Sequence, residues 1–388
     1  MVGTLCVLPA GASAPGSTGW TARLAYSTVV HARPVAGARS YSLLEGVGCD
    51  PTGSTCVAVG AQGWYPPLAA RPTSVLSEQG GAWHSTTVPF PGDAGQAGLL
   101  QAVDCPATGS CLAVGARFAY GGDDTDPVPL VLAQGATGWA AALPPALPAT
   151  TLTGLSCSGP ARCVVVGFAR TATPGVDTPV IERLSGTTWS TEPEPTLPSG
   201  LVGLAAVACP SATECFAVGN ATSTDGVGRP LVEAFDGTTW SVVSLPAAVA
   251  GATEGLDGVA CPSTTSCFAV GRATQGSTSV AVDHFDGTAW SVERSPRPAG
   301  LDQGNLSAVA CATTTSCVAV GGGNTTPART LVEVFDGQGW SPVPSPTPQV
   351  GRGGTWLNGV ACPTAGWCWA VGGSFVLAVR QAGAAAPS

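Results

Sequence analysis

Short apolar runs alternate with turn residues along nearly the whole chain. Residues 231–235 (LVEAF), 256–260 (LDGVA) and 268–271 (FAVG) are typical of these runs. They are bounded by Gly, Pro, Ser and Thr, and none continues with the 3.6-residue period of an amphipathic helix. Apolar runs of this length between turn residues are typical of β-strands. The pattern therefore predicts an all-β protein.

The predicted strands recur in a unit that contains two cysteines. Residues 209–219 read CPSATECFAVG, and residues 261–271 read CPSTTSCFAVG. The chain has 15 cysteines, and all except Cys6 fall into pairs spaced about 52 residues apart. The pairs are Cys49 with Cys56, Cys105 with Cys111, Cys157 with Cys163, Cys209 with Cys215, Cys261 with Cys267, Cys311 with Cys317, and Cys362 with Cys368. Because each pair lies between two apolar runs, and a third run and a turn with tryptophan follow, each unit predicts four short strands.

Seven such units of about 50 residues predict a seven-bladed β-propeller in which each unit is one blade of four antiparallel strands. The expected blades cover approximately residues 41–90, 98–146, 151–195, 202–246, 255–296, 304–346, and 356–383 together with 16–28. The last blade lacks a tryptophan strand at its C-terminal end, and residues 16–24 (GSTGWTARL) match the tryptophan strand of another unit. We therefore expect the N-terminal strand to complete the last blade and close the ring, which removes exposed sheet edges.

Both ends of the chain extend beyond this ring. Residues 1–15 contain an apolar run and an A-x-A sequence but no basic n-region, so we interpret them as a leader remnant or an extra strand. Residues 4–8 (TLCVL) resemble the third strand of a blade, could compete with residues 375–380 for one place, and contain the unpaired Cys6. Residues 384–388 are expected to form a C-terminal tail.

Each cysteine pair flanks a short turn between antiparallel strands, which suits a disulfide. Metal binding is the alternative, but zinc requires four ligands, propeller turns lie far apart, and no histidine (His31, His84, His284) is near a pair. We predict seven disulfides, no metal and no cofactor. Disulfides at this density are typical of proteins outside the cytoplasm, so we expect an extracellular or cell-surface location.

The charged residues narrow the possible partners. Only 10% of the residues are charged, the net charge is −9, and all 15 basic residues are arginine. A chain without lysine has no P-loop lysine, and the absence of a basic run argues against nucleic acid. The apolar runs end well before the roughly 18 residues that a membrane helix needs. We expect a monomer without a membrane span.

The repeats resemble those of secreted bacterial propeller proteins, especially from actinomycetes. The resemblance rests on CPSATECFAVG and CPSTTSCFAVG, together with FDGTTW at 235–240 and FDGTAW at 285–290, and covers residues 16–383. More distantly, the repeats are similar to kelch and Asp-box (sialidase-like) propellers. The Asp-box match is partial, because glycine directly follows the aspartate here. The resemblance implies the fold and secretion, and it implies no particular activity.

The variable loops of neighbouring blades suggest a ligand-binding surface. If the two strands joined by each cysteine pair are the inner ones, the cysteine turns and the DGTTW turns share one face, the stapled face. The remaining loops differ in length and share the opposite, variable face, where binding residues tend to lie. Blades seven, one and two bring there the aromatic residues Trp64, Tyr65, Phe118, Tyr120 and Trp356, and the carboxylates of Asp123, Asp124 and Asp126. Flat rings stack on sugars and carboxylates accept hydroxyl hydrogen bonds, so we predict a glycan or protein ligand.

Other interpretations of these residues remain open. The rings could cover the apolar surface of their own loops, and the acids could be solvated or could bind calcium, although no calcium-loop pattern is present. Acids recur in the third strand of four successive blades (Glu182, Glu233, Asp283 and Glu333), which favours a structural role. The recurring tryptophans favour packing between blades over a ring of sugar sites, and Trp369, at the position of Phe216 and Phe268, is expected in the core.

The sequence favours a non-catalytic binding or adhesion module. It contains no G-x-S-x-G or H-E-x-x-H motif. Two carboxylate pairs, Glu192 with Glu194 and Asp123 with Asp126, leave open a glycosidase or lyase. A structural segment of a larger surface protein is a further alternative.

Overall fold

The computed structural model describes residues 19–27, 39–65, 73–86, 88, 96–119, 126–142, 147–173, 176–197, 201–222, 228–246, 253–273, 280–293, 295–296, 304–323, 328–348 and 355–386. In these residues it contains 28 strands and no helix, arranged in seven four-stranded antiparallel sheets. The predicted seven-bladed β-propeller is therefore confirmed. No helix in the described residues is long and apolar enough to cross a membrane.

Each blade runs from an inner first strand to an outer fourth strand. Blade one contains β2 (Arg39–Cys49), β3 (Cys56–Tyr65), β4 (Thr73–Gln79) and β5 (Ala82–Thr86). Blade two contains β6 (Gln96–Ala107), β7 (Ser110–Ala119), β8 (Val128–Gly135) and β9 (Gly138–Ala141). Blade three contains β10 (Thr150–Gly159), β11 (Arg162–Arg170), β12 (Asp177–Ser185) and β13 (Thr188–Thr191). Blade four contains β14 (Leu201–Ser211), β15 (Glu214–Thr222), β16 (Gly228–Phe235) and β17 (Trp240–Val242).

The remaining three blades repeat this order. Blade five contains β18 (Thr253–Ser263), β19 (Ser266–Ala273), β20 (Val280–Phe285) and β21 (Trp290–Val292). Blade six contains β22 (Gly304–Thr313), β23 (Ser316–Gly323), β24 (Arg329–Phe335) and β25 (Trp340–Pro342). Blade seven contains β26 (Gly359–Thr364), β27 (Trp367–Gly372), β28 (Phe375–Gln381) and, as its fourth strand, β1 (Trp20–Ser27).

The N-terminal strand completes blade seven, as the sequence predicts. β1 pairs antiparallel with β28, with Trp20 opposite Gln381. Blades seven and one are joined directly: the Leu44 N–H donates to the Gly373 carbonyl at 2.8 Å, and the Asn358 side-chain amide donates to the Leu44 carbonyl at 3.1 Å. The third-strand place of blade seven is filled by β28, while residues 4–8 and Cys6 lie outside the described residues.

A separate apolar cluster fills each boundary between neighbouring blades. At the boundary between blades seven and one, Leu44 and Trp83 of blade one pack on Trp369 and Val371 of blade seven. The rings of Trp83 and Trp369 meet edge to face with centroids 5.4 Å apart. The tryptophans of the repeat lie in such clusters, where Trp20, Trp83, Trp139, Trp240, Trp290 and Trp340 are buried and Trp189 is half-buried. The recurring tryptophan is thus an interblade packing residue.

The glycine that ends the AVG sequence (VVG in blade three) lies where a Cβ would collide with the backbone of the first strand or of the residues just before it. In blade six the register of β22 shifts between Leu306 and Ala308, which presses the preceding backbone against Gly321 of β23. A Cβ at Gly321 would lie 1.9 Å from the Asn305 carbonyl oxygen. The same conflict arises in every blade, at Gly60, Gly115, Gly167, Gly219, Gly271, Gly321 and Gly372. A side chain does not fit there, so the sequence repeats glycine.

The first strands of neighbouring blades also approach closely around the central axis. A Cβ at Gly46 of blade one would lie 2.8 Å from the Gln101 carbonyl oxygen of blade two. A Cβ at Gly258 of blade five would lie 2.9 Å from the Ala308 Cα of blade six. Only Gly or Ala occupies this position in the seven blades, because larger side chains would push the inner strands apart.

The predicted cysteine pairs all form disulfides, with Cα–Cα distances of 4.0–4.1 Å. Each disulfide joins the end of a first strand to the start of a second strand, next to the hairpin turn. Each closes a short loop, so the chain-entropy estimate is only about 2 kcal/mol per disulfide. Disulfides in this number are typical of an oxidising compartment.

Candidate functional site

The two faces of the propeller have different connections. On the stapled face, first and second strands are joined by tight turns, such as residues 108–109 and 264–265. On the variable face, the connection between second and third strands covers residues 120–127 in blade two and only residues 373–374 in blade seven. The rigid stapled face and the variable face therefore offer different kinds of site.

The predicted aromatic residues lie at strand ends on the variable face, to the extent that the structure describes them. Trp64 and Tyr65 end β3, and their side chains are outside the described residues. Phe118, near the end of β7, is half-buried. Asp126 is exposed, whereas Tyr120, Asp123 and Asp124 lie outside the described residues.

The ring of Trp356 contacts blade six. Its ring lies over Gly322 of β23, where an added Cβ would be 2.7 Å from the indole Cγ. The residue is half-buried. In the ring order, this contact is on the side of blade seven that faces away from blade one. Packing against blade six therefore accounts for part of the burial of this side chain.

The stapled face has a depression on the central axis, with a volume of about 330 Å³. Stapled turns of blades one, two, three and seven surround it. Asp104 lines it and accepts a hydrogen bond from the Cys157 N–H at 2.7 Å. Burial raises the pKa of Asp104, while the N–H groups of Cys157 and Cys105 oppose this shift. This axial depression therefore contains a carboxyl group fixed by the neighbouring blade.

Asp50, the second acid of the axial depression, organises the turn of blade one. Its carboxylate accepts hydrogen bonds from the N–H and hydroxyl groups of Thr52 and Ser54 at 2.7–3.1 Å. Burial alone would raise the pKa of Asp50, but the hydrogen bonds from Thr52, Thr108 and Ser54 outweigh burial and hold the pKa well below its usual range. Because its oxygens are used within the turn, Asp50 is a structural acid.

A second depression on the stapled face lies between blades three and four and has a volume of about 180 Å³. We call it the arginine groove, because Arg162 and Arg183 line it. Its other polar lining residues are Ser156, Ser158, Ser185 and Ser211. No motif in the sequence predicts this groove. The available signal was that arginine occurs at these two repeat positions in blade three alone.

The third-strand acids are buried between the blades. Glu182, Glu233, Asp283 and Glu333 are each at most 1% exposed, which supports the predicted structural role. Burial and the neighbouring Glu194 raise the pKa of Glu233 to about 8. Burial raises the pKa of Glu194 to about 7, and a backbone N–H near Ile181 opposes it.

The two carboxylates of the Glu192–Glu194 pair have different partners. Glu192 forms an ion pair with Arg183, with Oε1 2.7 Å from Nε. Glu194 is directed to the interblade position of Glu233. These groups therefore do not converge on one open pocket. No cluster of three or more His, Cys, Asp or Glu side chains that could hold a metal occurs among the described residues.

Polar residues also occur at the bulge of the inner strands. Glu45 is the bulge residue of β2, and Asn358 precedes β26. Burial raises the pKa of Glu45 to about 7, and a hydrogen bond with Asn358 opposes this shift. Asp257, the bulge residue of β18, accepts a hydrogen bond from the Asn305 amide at 2.9 Å. These side chains link the first strands of neighbouring blades.

No family model matches the chain, and no curated protein matches its sequence. Solved structures match its fold. YCF48 from Cyanidioschyzon merolae is 11% identical with a TM-score of 0.52, and the match covers 89% of this chain and 98% of that chain. The GH74 xyloglucanase from Xanthomonas campestris is 16% identical with a TM-score of 0.57, and the match covers 94% of this chain and 54% of that chain. The Aleuria aurantia lectin in complex with Fucα1-6GlcNAc is 13% identical with a TM-score of 0.46, over 79% of this chain and 97% of that chain. At these identities the likeness shows the fold alone: the chain is a seven-bladed β-propeller with a repeated cysteine-pair motif.

Proposed function

We propose that this protein is a secreted, non-catalytic binding or adhesion module that recognises an extracellular glycan or protein. Its ligand site is on the variable face near blades seven, one and two, and it includes Trp64, Tyr65, Phe118, Tyr120 and Trp356. Asp123, Asp124 and Asp126 supply acceptors at its edge, and the module acts as a monomer. Its repeats place it with the secreted actinomycete-type propellers, and more distantly with kelch-like and Asp-box-like propellers.

The contrast between the two faces carries this proposal. Disulfides hold the hairpins of the stapled face, while the connections of the variable face range from residues 373–374 to residues 343–358. Variable loops on a rigid scaffold are common binding surfaces. The seven disulfides support secretion, because such bonds persist in oxidising compartments.

An enzymatic role, as a glycosidase or lyase, would require two carboxylates that face each other across an accessible site. Glu192 forms an ion pair with Arg183, and Glu194 is half-buried beside Glu233. These partners favour binding over catalysis by this pair.

A glycan-array and cell-wall polysaccharide screen tests the proposal. The wild-type chain is compared with the Trp64→Ala/Trp356→Ala variant, and we expect the variant to lose binding by tenfold or more while retaining its fold. Trp189→Ala is the matched control, because Trp189 is half-buried like Trp356 but belongs to an outer strand next to the stapled face.

Circular dichroism and thermal unfolding show whether each variant is folded. Loss of binding in the Trp64/Trp356 variant alone supports the aromatic surface. No binding to any glycan or extracellular protein extract, or equal loss in Trp189→Ala, would overturn it. Turnover of a bound polysaccharide would establish the enzymatic alternative instead.

A further inference from the structure

We propose that the arginine groove between blades three and four is a second binding site, which holds the oxyanion of an acidic sugar. This site is on the stapled face and shares no residue with the aromatic surface. It therefore stands or fails independently of the proposed function.

The strand register brings the two arginines to one side of blade three. Arg162 of β11 lies opposite Ser185 of β12, and Val164, two residues after Arg162, lies opposite Arg183. Directly opposed residues, and residues two apart on one strand, have side chains on the same face of a sheet. Arg162 and Arg183 therefore project to the same side, towards blade four.

Arg183 is held in place by both blades. Its Nε donates to Glu192 Oε1 at 2.7 Å, and its guanidinium carbon lies 4.2 Å from the ring centroid of Phe235 in blade four. The terminal nitrogen Nη2 is buried and has no hydrogen-bond partner within the described part of the chain. A buried N–H donor without a partner is costly, and a small shift of the Arg183 side chain towards the groove would let an oxyanion satisfy it.

Arg162 supplies the accessible charge. It is exposed, and it forms no ion pair with any carboxylate of the described residues. The Glu192 carboxylate offsets the charge of Arg183, so Arg162 leaves the groove with a net positive charge. None of the described residues that line the groove carries a carboxylate. The groove is therefore basic on a chain with a net charge of −9.

The hydroxyl groups indicate a sugar as the carrier of the anion. Ser156 Oγ accepts the Cys209 N–H at 3.0 Å, which leaves its hydroxyl proton available for donation. Ser158 and Ser185 are exposed at the groove and can both donate and accept, as sugar hydroxyls do. A volume of about 180 Å³ corresponds to about six waters at ~30 Å³ each, room for roughly one sugar unit.

Both arginines are departures from the repeat. The position of Arg162 carries Thr55, Ser110, Glu214, Ser266, Ser316 and Trp367 in the other blades. The position of Arg183 carries Ser77, Ala133, Ala234, His284, Val334 and Ala378. Residues that the blade fold requires recur in every blade, whereas these two arginines occur together in one blade and line the same groove. Their coincidence favours a ligand over packing.

Isothermal titration calorimetry with three oligosaccharides of equal length tests the site. The probes are an oligogalacturonate, a sulfated oligosaccharide and a neutral oligosaccharide, which distinguish a carboxylate from a sulfate. We expect at least one acidic probe to bind and the neutral one not to bind. Raising the ionic strength should weaken the interaction, since an exposed charge contributes to it.

Substitutions at Arg162 assign the binding to the groove. Arg162→Gln should weaken binding of the acidic probe about tenfold, the effect of losing one charge-assisted contact. Arg162→Lys should weaken it less, since it keeps the charge and loses the planar fork. Arg170→Gln is the matched control: it removes the same charge from an exposed position of β11 at the variable face, and affinity should change less than twofold.

Three outcomes would overturn the proposal: no binding of either acidic probe, equal losses in Arg162→Gln and Arg170→Gln, or binding of an acidic peptide without binding of acidic sugars. The Trp64→Ala/Trp356→Ala variant should bind the acidic probe like the wild type. A loss in that variant alone would instead assign the acidic sugar to the variable face.

Discussion

At one buried position of the third strand, the residue type differs between two groups of neighbouring blades, which divide the ring into two arcs. Blades seven, one and two carry Leu377, Leu76 and Leu132 at this position, and we call them the apolar arc. Blades three to six carry Glu182, Glu233, Asp283 and Glu333, and we call them the acidic arc. The residue directly opposite on the second strand is Ala in six blades and Val165 in blade three. At this position the second strand is thus nearly constant, while the residue of the third strand changes from apolar to ionisable.

Two acids of the acidic arc, Glu233 and Glu333, have neighbours from the preceding blade. Ser295, which follows the fourth strand of blade five, donates a hydrogen bond to Glu333 of blade six. Glu194, which follows the fourth strand of blade three, lies beside Glu233 of blade four. A leucine needs no such partner, because burial of an apolar side chain is favourable by itself. The two arcs therefore share the same backbone arrangement, but the buried acids of the acidic arc need a proton or a polar neighbour that the leucines of the apolar arc do not need.

The largest effect should come from the inner strands, where the two arcs should not differ. Gly115→Ala in the apolar arc and Gly219→Ala in the acidic arc each place a Cβ 2.0 Å from a first-strand carbonyl oxygen. Backbone must move in both cases, so we expect each variant to lose about 3 kcal/mol or more of unfolding free energy, or to fail to fold. Urea denaturation followed by tryptophan fluorescence measures the loss.

Gly135→Ala is the control for these two variants. Gly135 ends a third strand, and an added Cβ would contact nothing within 4 Å. Its stability should change by no more than about 0.5 kcal/mol. A large loss in only one of Gly115→Ala and Gly219→Ala would contradict the view that the inner strands of both arcs obey the same packing rule.

A smaller effect should follow when the two arcs exchange residues. Leu132→Glu removes a fully buried leucine and buries a carboxyl in its place. We expect a loss of about 2–3 kcal/mol at pH 8 from lost apolar burial and desolvation. Glu233→Leu should be neutral or stabilising at that pH, because it removes a buried acid from beside Glu194.

Leu132→Met is the volume-matched control and should cost less than about 1.5 kcal/mol. Thermal and urea unfolding at pH 8 compare the variants. If Leu132→Glu were as stable as Leu132→Met, the apolar arc would accept an acid without a partner. The distinction between the arcs would then have no energetic basis.

The sequence is sufficient to predict the structural features that recur from blade to blade. The AVG glycine, the cysteine pair and the tryptophan recur because a close backbone approach, a hairpin and a blade boundary recur, so the spacing predicts seven blades and their disulfides. The closing role of β1 could also be predicted, because one strand was missing from the last unit and one was surplus at the N-terminus.

Contacts that occur at only one blade boundary could not be predicted from the repeat. Glu194 and Glu233 are distant in the sequence, and nothing in the repeat indicates that a residue after one fourth strand meets the third strand of the next blade. The arginine groove was missed for a related reason: Arg162 and Arg183 become neighbours through the strand register, not through a motif. The contact of Trp356 with Gly322 of blade six likewise follows from no motif in the sequence.

The acidic arc should also make the stability of the protein depend on pH. The carboxyls of Glu194 and Glu233 have an ordinary pKa of 4.5, and the folded protein raises these pKa values to about 7 and about 8. Between pH 4.5 and about pH 8, the folded state holds protons that the unfolded chain has released. The free energy of unfolding therefore falls as the pH rises through this range. Well below pH 4.5 the two carboxyls are protonated in both the folded and the unfolded state, and well above pH 8 they are ionised in both. The contribution of these groups to the free energy of unfolding is therefore constant in each of these ranges.

We expect the wild type to lose unfolding free energy steadily between pH 5 and pH 8, because the pKa values of both carboxyls are higher in the folded state than in the unfolded chain. Glu45 and Glu333, whose pKa values burial also raises, contribute in the same direction, so the pair must be isolated by substitution. Glu233→Gln should make the pH profile clearly shallower, whereas Asp126→Asn, at an exposed position of the apolar arc, should leave it unchanged. Urea unfolding at successive pH values measures both profiles. A Glu233→Gln profile as steep as the wild type would mean that this pair is ionised in the folded state, and the acidic arc would then need a counter-charge that its described residues do not supply.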